Sequence, residues 1–174
     1  MTNDLIAIIA EGGAETAILR LLIENRRLIF EPEDLYKGKI FSQRSAKAFA
    51  KELNLETSRK IHIYRVIDSR TERFVLPKVY DHKVSVIDTL YTRPEIEMLY
   101  VIDSGRYEEF QRSGIQKPSE FIKKLVKPKK PFKSQQVVTD YWAGRMDDLV
   151  SAIREYARMS VDDYAQTLAV LLKE

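Results

Sequence analysis

Residues 5–10, Leu5-Ile6-Ala7-Ile8-Ile9-Ala10, form an unbroken apolar run that stops on Glu11-Gly12-Gly13-Ala14-Glu15. A run this short, closed by glycines, predicts a strand buried on both faces. The spacing of Ala14, Ala17, Ile18, Leu21 and Leu22 predicts a helix over residues 14–25, with Asn25 as its terminator. A buried strand that turns directly into a helix is the opening unit of an α/β fold. It carries Glu11 to the C-terminal edge of the sheet, where such folds bind their ligands.

A second apolar run, Ile61-His62-Ile63-Tyr64-Arg65-Val66-Ile67, also ends on an acid, Asp68. Residues 27–30 and 84–87 read as shorter strands, and residues 73–76 as part of a hairpin or a longer loop. Ser42 or Ser45 is placed to cap a helix reaching Leu53, and Thr92 to cap one that begins at Pro94 and ends near Gly105. Further helical pieces are expected over residues 106–112 and from Pro118. Tyr141, Trp142, Met146, Leu149, Val150, Ile153 and Tyr156 share one face of an amphipathic helix over residues 140–159, and a last helix starts at Asp162 or Asp163. Strands alternating with helical patterns predict a compact α/β fold, a mostly parallel sheet flanked by helices with a helical C-terminal extension. The expected division is a core over residues 1–116, a basic linker with a short helix over 117–139, and an extension over 140–174. That extension packs on the core or on a partner, a second copy of the chain included.

The 174 residues suit one domain, and the absence of cysteine removes disulfides, thiolate zinc sites and a cysteine nucleophile. The N-terminal apolar run is broken by Glu11, and no run approaches the roughly 18 apolar residues of a membrane span. These features predict a cytoplasmic protein without membrane contact. The net charge of +3 is modest, but residues 117–133 hold seven lysines against one acid, Glu120. The prolines at 128 and 131 oppose helix and strand there. This stretch is either a solvated linker or a contact for a phosphate backbone through Lys124, Lys127, Lys129 and Lys130. The aromatic residues beside it, Tyr141 and Trp142, either pack in the core or stack bases. His62 reads as structural, and His82 as a proton-transfer candidate without a nameable partner.

Glu11, Glu15 and Asp68 have no obvious paired lysine in the sequence. Brought together at one sheet edge, they would repel one another unless a hard cation such as Mg²⁺ or Mn²⁺ relieved the charge. Taken singly, Glu11 could instead cap the following helix and Asp68 open a turn.

The string Ile9-Ala10-Glu11-Gly12-Gly13-Ala14-Glu15 resembles the first acidic motif of the TOPRIM fold. That fold is found in topoisomerases, bacterial primases, RecR-type repair proteins, small ribonucleases and nucleases of the overcoming-lysogenization-defect class. The family's later Asp-x-Asp motif is similar to Ile67-Asp68-Ser69-Arg70, with Asp68 at the first aspartate and Arg70 in place of the second. The string Tyr91-Thr92-Arg93-Pro94-Glu95-Ile96-Glu97 resembles an element of small bacterial TOPRIM-like phage-defence proteins, with Glu97 the favoured acid and Glu95 the spare. The resemblance spans roughly residues 5–112. It implies metal-dependent hydrolysis of a phosphodiester in DNA or RNA. Glu11 and Asp68 would be metal ligands, with Glu15 and Glu97 supporting the metal or orienting water. Arg70, Arg73 and Arg93 would hold phosphate. The replacement of the second aspartate by Arg70 keeps an alternative open: a non-catalytic, nucleic-acid-binding or regulatory subunit of a larger complex.

Overall fold

The computed structural model describes residues 4–54, 56–68, 73–93, 95–125 and 132–174. Its centre is a four-stranded, wholly parallel sheet in the order β2-β1-β3-β4, made of β1 (Leu5–Ala10), β2 (Leu35–Phe41), β3 (Ile61–Ile67) and β4 (Val84–Tyr91). The expected α/β class is therefore observed, with helices over both faces. Alternation along β1 divides the interior. Ile6, Ile8 and Ala10 face the larger core, and Ala7 and Ile9 face a smaller one with Tyr36, Phe41, Phe49, Leu53, Ile61 and Ile63.

The larger core is roofed by α1 (Gly13–Glu24), α3 (Met98–Asp103), α4 (Tyr107–Arg112), α5 (Pro118–Leu125), α6 (Gln135–Trp142) and α7 (Met146–Met159). The smaller face carries α2 (Ala46–Ala50), capped by the Ser45 hydroxyl accepting from the Ala48 amide. One hydrophobic cluster runs from Ile6 to Leu172, so the C-terminal segment packs directly against α1 and the sheet. Leu19 and Leu22 of α1 are fully buried there, each contributing about 1.5–3 kcal/mol. Tyr100, Tyr141 and Trp142 pack edge-on or tilted against one another, and Trp142 is buried. These rings belong to the core; they do not form a base-stacking surface. Among the described residues no helix is long and apolar enough to cross a membrane.

Several sequence expectations are corrected. The second strand is β2, not residues 27–30. Lys37 and Gly38 sit inside β2 at φ 57° and φ 63°, and the pairing with β1 shifts register around them. That irregularity breaks the alternation by which a strand is recognised. Residues 27–30 instead join the C-terminus through a bridge between Leu28 and Leu172 and a bond from the Ile29 amide to the Leu171 carbonyl. The single helix expected over 140–159 is two, α6 and α7, separated where Gly144 turns at φ 71°. The expected last helix is a pair of 3-10 turns, Tyr164–Gln166 and Leu168–Leu171. The helix after Pro94, itself outside the described residues, starts only at Met98, and Thr92 does not cap it.

Candidate functional site

Strand order decides where a site can form. From β1 the chain crosses to β2 on one side, and β3 leads to β4 on the other. The C-terminal ends of the adjacent strands β1 and β3 thus mark the point where the winding reverses, the place where open parallel sheets leave a crevice. β1 and β3 pair in register from Leu5 with Ile61 to Ala10 with Val66. Glu11, one residue past Ala10, and Asp68, two past Val66, must therefore emerge side by side. Both line one small cavity of about 90 Å³, together with Gly12, Glu15, Arg44, Val66 and Ile67. It has room for a few waters or a hydrated ion.

Each acid has a distinct environment. Glu11 does not cap α1, whose cap position is Gly12 with no side-chain bond. Its Oε2 instead accepts from Arg44 Nε at 2.6 Å, while its Oε1 is buried without a hydrogen bond. Glu15 folds back over Gly12, so closely that a Cβ on Gly12 would lie 1.7 Å from Glu15 Oε2. Burial raises the Glu15 pKa and the nearby Asp68 adds to this, opposed by its own backbone amide, Lys133 and a hydrogen bond with Thr92. Glu97 is 1% exposed, and neither carboxylate oxygen has a hydrogen-bond partner. Burial raises its pKa, and Glu95 and Glu15 push the same way. Its nearest cation is Lys133, with Nζ 3.7 Å from Oε1.

Lys133 also reaches Glu95 Oε1 at 3.4 Å. Burial works to lower the lysine's pKa, but Glu97, Glu95 and Glu15 together raise it, so it stays charged. Glu95 has a second task. Its Oε2 accepts from the Ser119 amide at 2.9 Å in the first turn of α5. Burial acts to raise its pKa, and the Ser119 bonds with Lys133 bring it below the ordinary value.

The basic candidates fare differently. Arg93 is held by Asp162 at 2.7 Å, and its carbonyl accepts from the Tyr156 hydroxyl. Arg73 is exposed and does not line the cavity. Lys124 is exposed on the last turn of α5. Arg70, Lys127, Lys129 and Lys130 lie outside the described residues. His62 bonds Asp88 through Nε2 at 2.7 Å and stacks on Tyr64, away from the acids. A larger surface groove of about 540 Å³ contains Arg26, Arg27 and Arg158, but each is already paired with a carboxylate.

Sequence reasoning missed two members of the cluster. Arg44 lies in the loop after β2, the strand that the alternation hid. Lys133 was counted with a solvated lysine tract and stands instead against Glu95 and Glu97. The donors around the cavity are carboxylate oxygens, and one buried oxygen of Glu11 has no hydrogen bond; this chemistry fits a hard divalent cation. The arrangement differs from the metal-bridged acids expected from sequence, because the chain's own Arg44 bonds Glu11 at the cavity and Lys133 pairs with Glu95 and Glu97 beside it. Among the described residues no three acids or histidines are grouped to hold an ion. Comparison of the chain with protein-family models, with curated proteins and with solved structures finds no match.

Proposed function

We propose that this chain is a TOPRIM-like protein that acts on nucleic acid, hydrolysing a phosphodiester of DNA or RNA with Mg²⁺ or Mn²⁺, in the cytoplasm and in a phage-defence setting. The observation that carries this reading is the meeting of Glu11, Glu15 and Asp68 around one cavity at the winding reversal of a parallel sheet. Glu11 and Asp68 would hold the ion, which when bound polarises the phosphodiester and activates water. The chain's own groups have separable tasks. Glu15 has a raised pKa beside the cavity, which suits it to hold or pass a proton. Arg44 brings positive charge to the cavity rim, where a phosphate would approach. Lys124, and the neighbouring lysines of the tract, supply the sequence-independent attraction of a phosphate backbone.

A second reading is favoured by a specific observation: both Glu11 and the Glu95–Glu97 pair already have internal cationic partners, Arg44 and Lys133. On that reading the chain binds nucleic acid or a partner protein without cutting. Labelled single-stranded DNA, duplex DNA and RNA, each incubated with the protein and Mn²⁺ or Mg²⁺, separate the two. Cleavage by the wild type that is lost in a folded Glu11→Gln/Asp68→Asn protein supports hydrolysis. Binding of the same strands without cleavage under any condition supports the second reading. Neither binding nor cleavage refutes both.

A further inference from the structure

The turn that carries Glu11 and Glu15 is also the docking point of a distant segment. A Cβ on Gly13 would lie 3.0 Å from the Lys133 carbonyl oxygen and 3.4 Å from Gln135 Cγ, so glycine at this position lets the chain at residues 133–135 lie directly on the first turn of α1. Anchors on both sides fix that segment. The Phe132 ring packs edge-on against Tyr100 at 5.0 Å. Ser134 caps α6, its hydroxyl accepting from the Val137 amide, and α6 packs along α1. Lys133 is thus delivered to the acids by packed backbone. Arg44 reaches them from the opposite side, following β2.

We infer that Lys133 and Arg44 are built-in counter-cations of the acid cluster, and that a divalent cation and a nucleic-acid phosphate enter the site together: the cation takes over the carboxylates as the phosphate takes over the ammonium and the guanidinium. This rests on the reading above that the cluster acts on nucleic acid. The physical basis is electroneutrality. Glu97 is buried, and a buried carboxylate needs a positive partner close by, here Lys133; Arg44 bonds Glu11 in the same way at 2.6 Å. With Lys133 and Arg44 in place, an added cation meets Glu11, Glu95 and Glu97 already beside positive partners, and its own charge must displace them. A phosphate alone meets two cations already satisfied by carboxylates. Supplied together, the two ligands exchange partners with these ion pairs, so that neither the carboxylates nor the two protein cations lose a partner. By linkage each ligand then strengthens the other's binding by the same factor. The two cations themselves stand at the surface (the Lys133 side chain is 57% exposed and that of Arg44 70%), so both can turn to a phosphate without unfolding the core.

The test is a Mn²⁺ titration followed by electron paramagnetic resonance on the wild type, Lys133→Gln and Arg44→Gln. It is paired with anisotropy of a labelled oligothymidylate with and without Mn²⁺. Each variant should bind Mn²⁺ about tenfold more tightly than the wild type, and Mn²⁺ should raise the oligothymidylate affinity of the wild type by about tenfold and that of Lys133→Gln much less. Equal Mn²⁺ affinity in wild type and variants overturns the inference and leaves the hydrolytic reading standing. Absence of Mn²⁺ binding from every protein, with and without oligothymidylate, removes the metal-dependent reading instead. A thermal-melting cycle then decides the counter-cation role on its own. A larger melting-temperature gain from Glu97→Gln in the Lys133→Gln background than in the wild type supports it, and an equal gain in both overturns it.

Discussion

Replacing Gly12 by alanine separates the site from the scaffold that carries it. Gly12 sits at φ −82°, ψ 150°, extended backbone that alanine adopts without strain. Space is what alanine lacks: its methyl group would lie 1.7 Å from Glu15 Oε2 and 2.6 Å from its Cδ. Both atoms end a flexible side chain, so the carboxylate swings out and the backbone stays. Three effects then combine. A glycine-to-alanine change at a compatible position stabilises by about 0.4–1 kcal/mol through the unfolded chain. Moving the Glu15 carboxylate into water removes the burial that raises its pKa. Loss of its hydrogen bond with Thr92 costs about 0.5–1.5 kcal/mol. The expected sum at pH 8 is unchanged stability or a gain of about 1 kcal/mol, a melting-temperature rise of roughly 2–4 °C for a chain of this size. The hydrolysis proposed for the cluster should meanwhile fall as far as it does in Glu15→Ala. Calorimetry at pH 8 on Gly12→Ala, Glu15→Ala and the double variant tests this. A loss of more than about 1 kcal/mol that persists in the Glu15→Ala background would refute the reasoning, because the methyl would then be striking something other than Glu15.

Burial raises the Glu97 pKa above its ordinary 4.5, so the folded protein holds that proton more tightly than the unfolded chain, and stability is lost as pH climbs from the ordinary value through the raised one. Glu97→Gln should therefore be near neutral in acid and stabilise by about 1–2 kcal/mol at pH 8; equal losses at both pH values in urea titrations would contradict it. Asp162, whose side chain is fully buried, holds Arg93 to the C-terminal segment, and Asp162→Ala should cost about 3 kcal/mol by urea unfolding; a loss below one-third of that would show the pair to be incidental. Gly144 turns the chain between α6 and α7 at φ 71° in open space, so Gly144→Ala should cost about 1 kcal/mol in backbone strain alone, measurable as a lower denaturant midpoint at unchanged slope.

The parts of the fold legible in the sequence were those governed by local pattern. β1 is a continuous apolar run and β3 a mostly apolar one, interrupted by His62 and Arg65, because both faces of a central parallel strand are covered, and the α1 periodicity follows from one face lying on the sheet. β2 was hidden because it is an edge strand with Lys37 and Gly38 in left-handed backbone, and it buries only Tyr36 and Phe41 fully, with Leu35 and Ile40 half-buried against the larger core. The break at Gly144 was hidden because the apolar face resumes in phase after it. At the site, Glu11 and Asp68 could be named because acids that end apolar strands stand out, and Glu15 because it follows Glu11 by one helical turn, whereas Glu97 came from the resemblance alone. Their partners could not. Arg44 and Lys133 lie 33 and 122 positions from Glu11, and only the packing of β2 and α6 brings them in. Opposite charges that meet through tertiary structure leave no spacing to read.

The two glycines of the Glu-Gly-Gly string therefore answer to different neighbours, and substitutions at them should differ in sign. At Gly12 the crowding atoms belong to a mobile carboxylate. At Gly13 they are the Lys133 carbonyl, at 3.0 Å, and Gln135 Cγ, at 3.4 Å. That carbonyl cannot retreat easily, since Phe132 is packed on Tyr100 on one side and Ser134 caps α6 on the other. Alanine at the start of α1 gains helix propensity, up to about 1 kcal/mol, but forces apart two packed segments at about 1–3 kcal/mol, leaving a net loss of about 1 kcal/mol. The displaced segment takes Lys133 with it. Gly13→Ala should thus lower the melting temperature where Gly12→Ala holds or raises it. Adding Glu97→Gln should return part of the loss, because a buried carboxylate deprived of its lysine is better replaced by an amide. If both alanine variants shift stability in the same direction, or if Glu97→Gln returns nothing, the turn does not link the acids to the segment carrying Lys133.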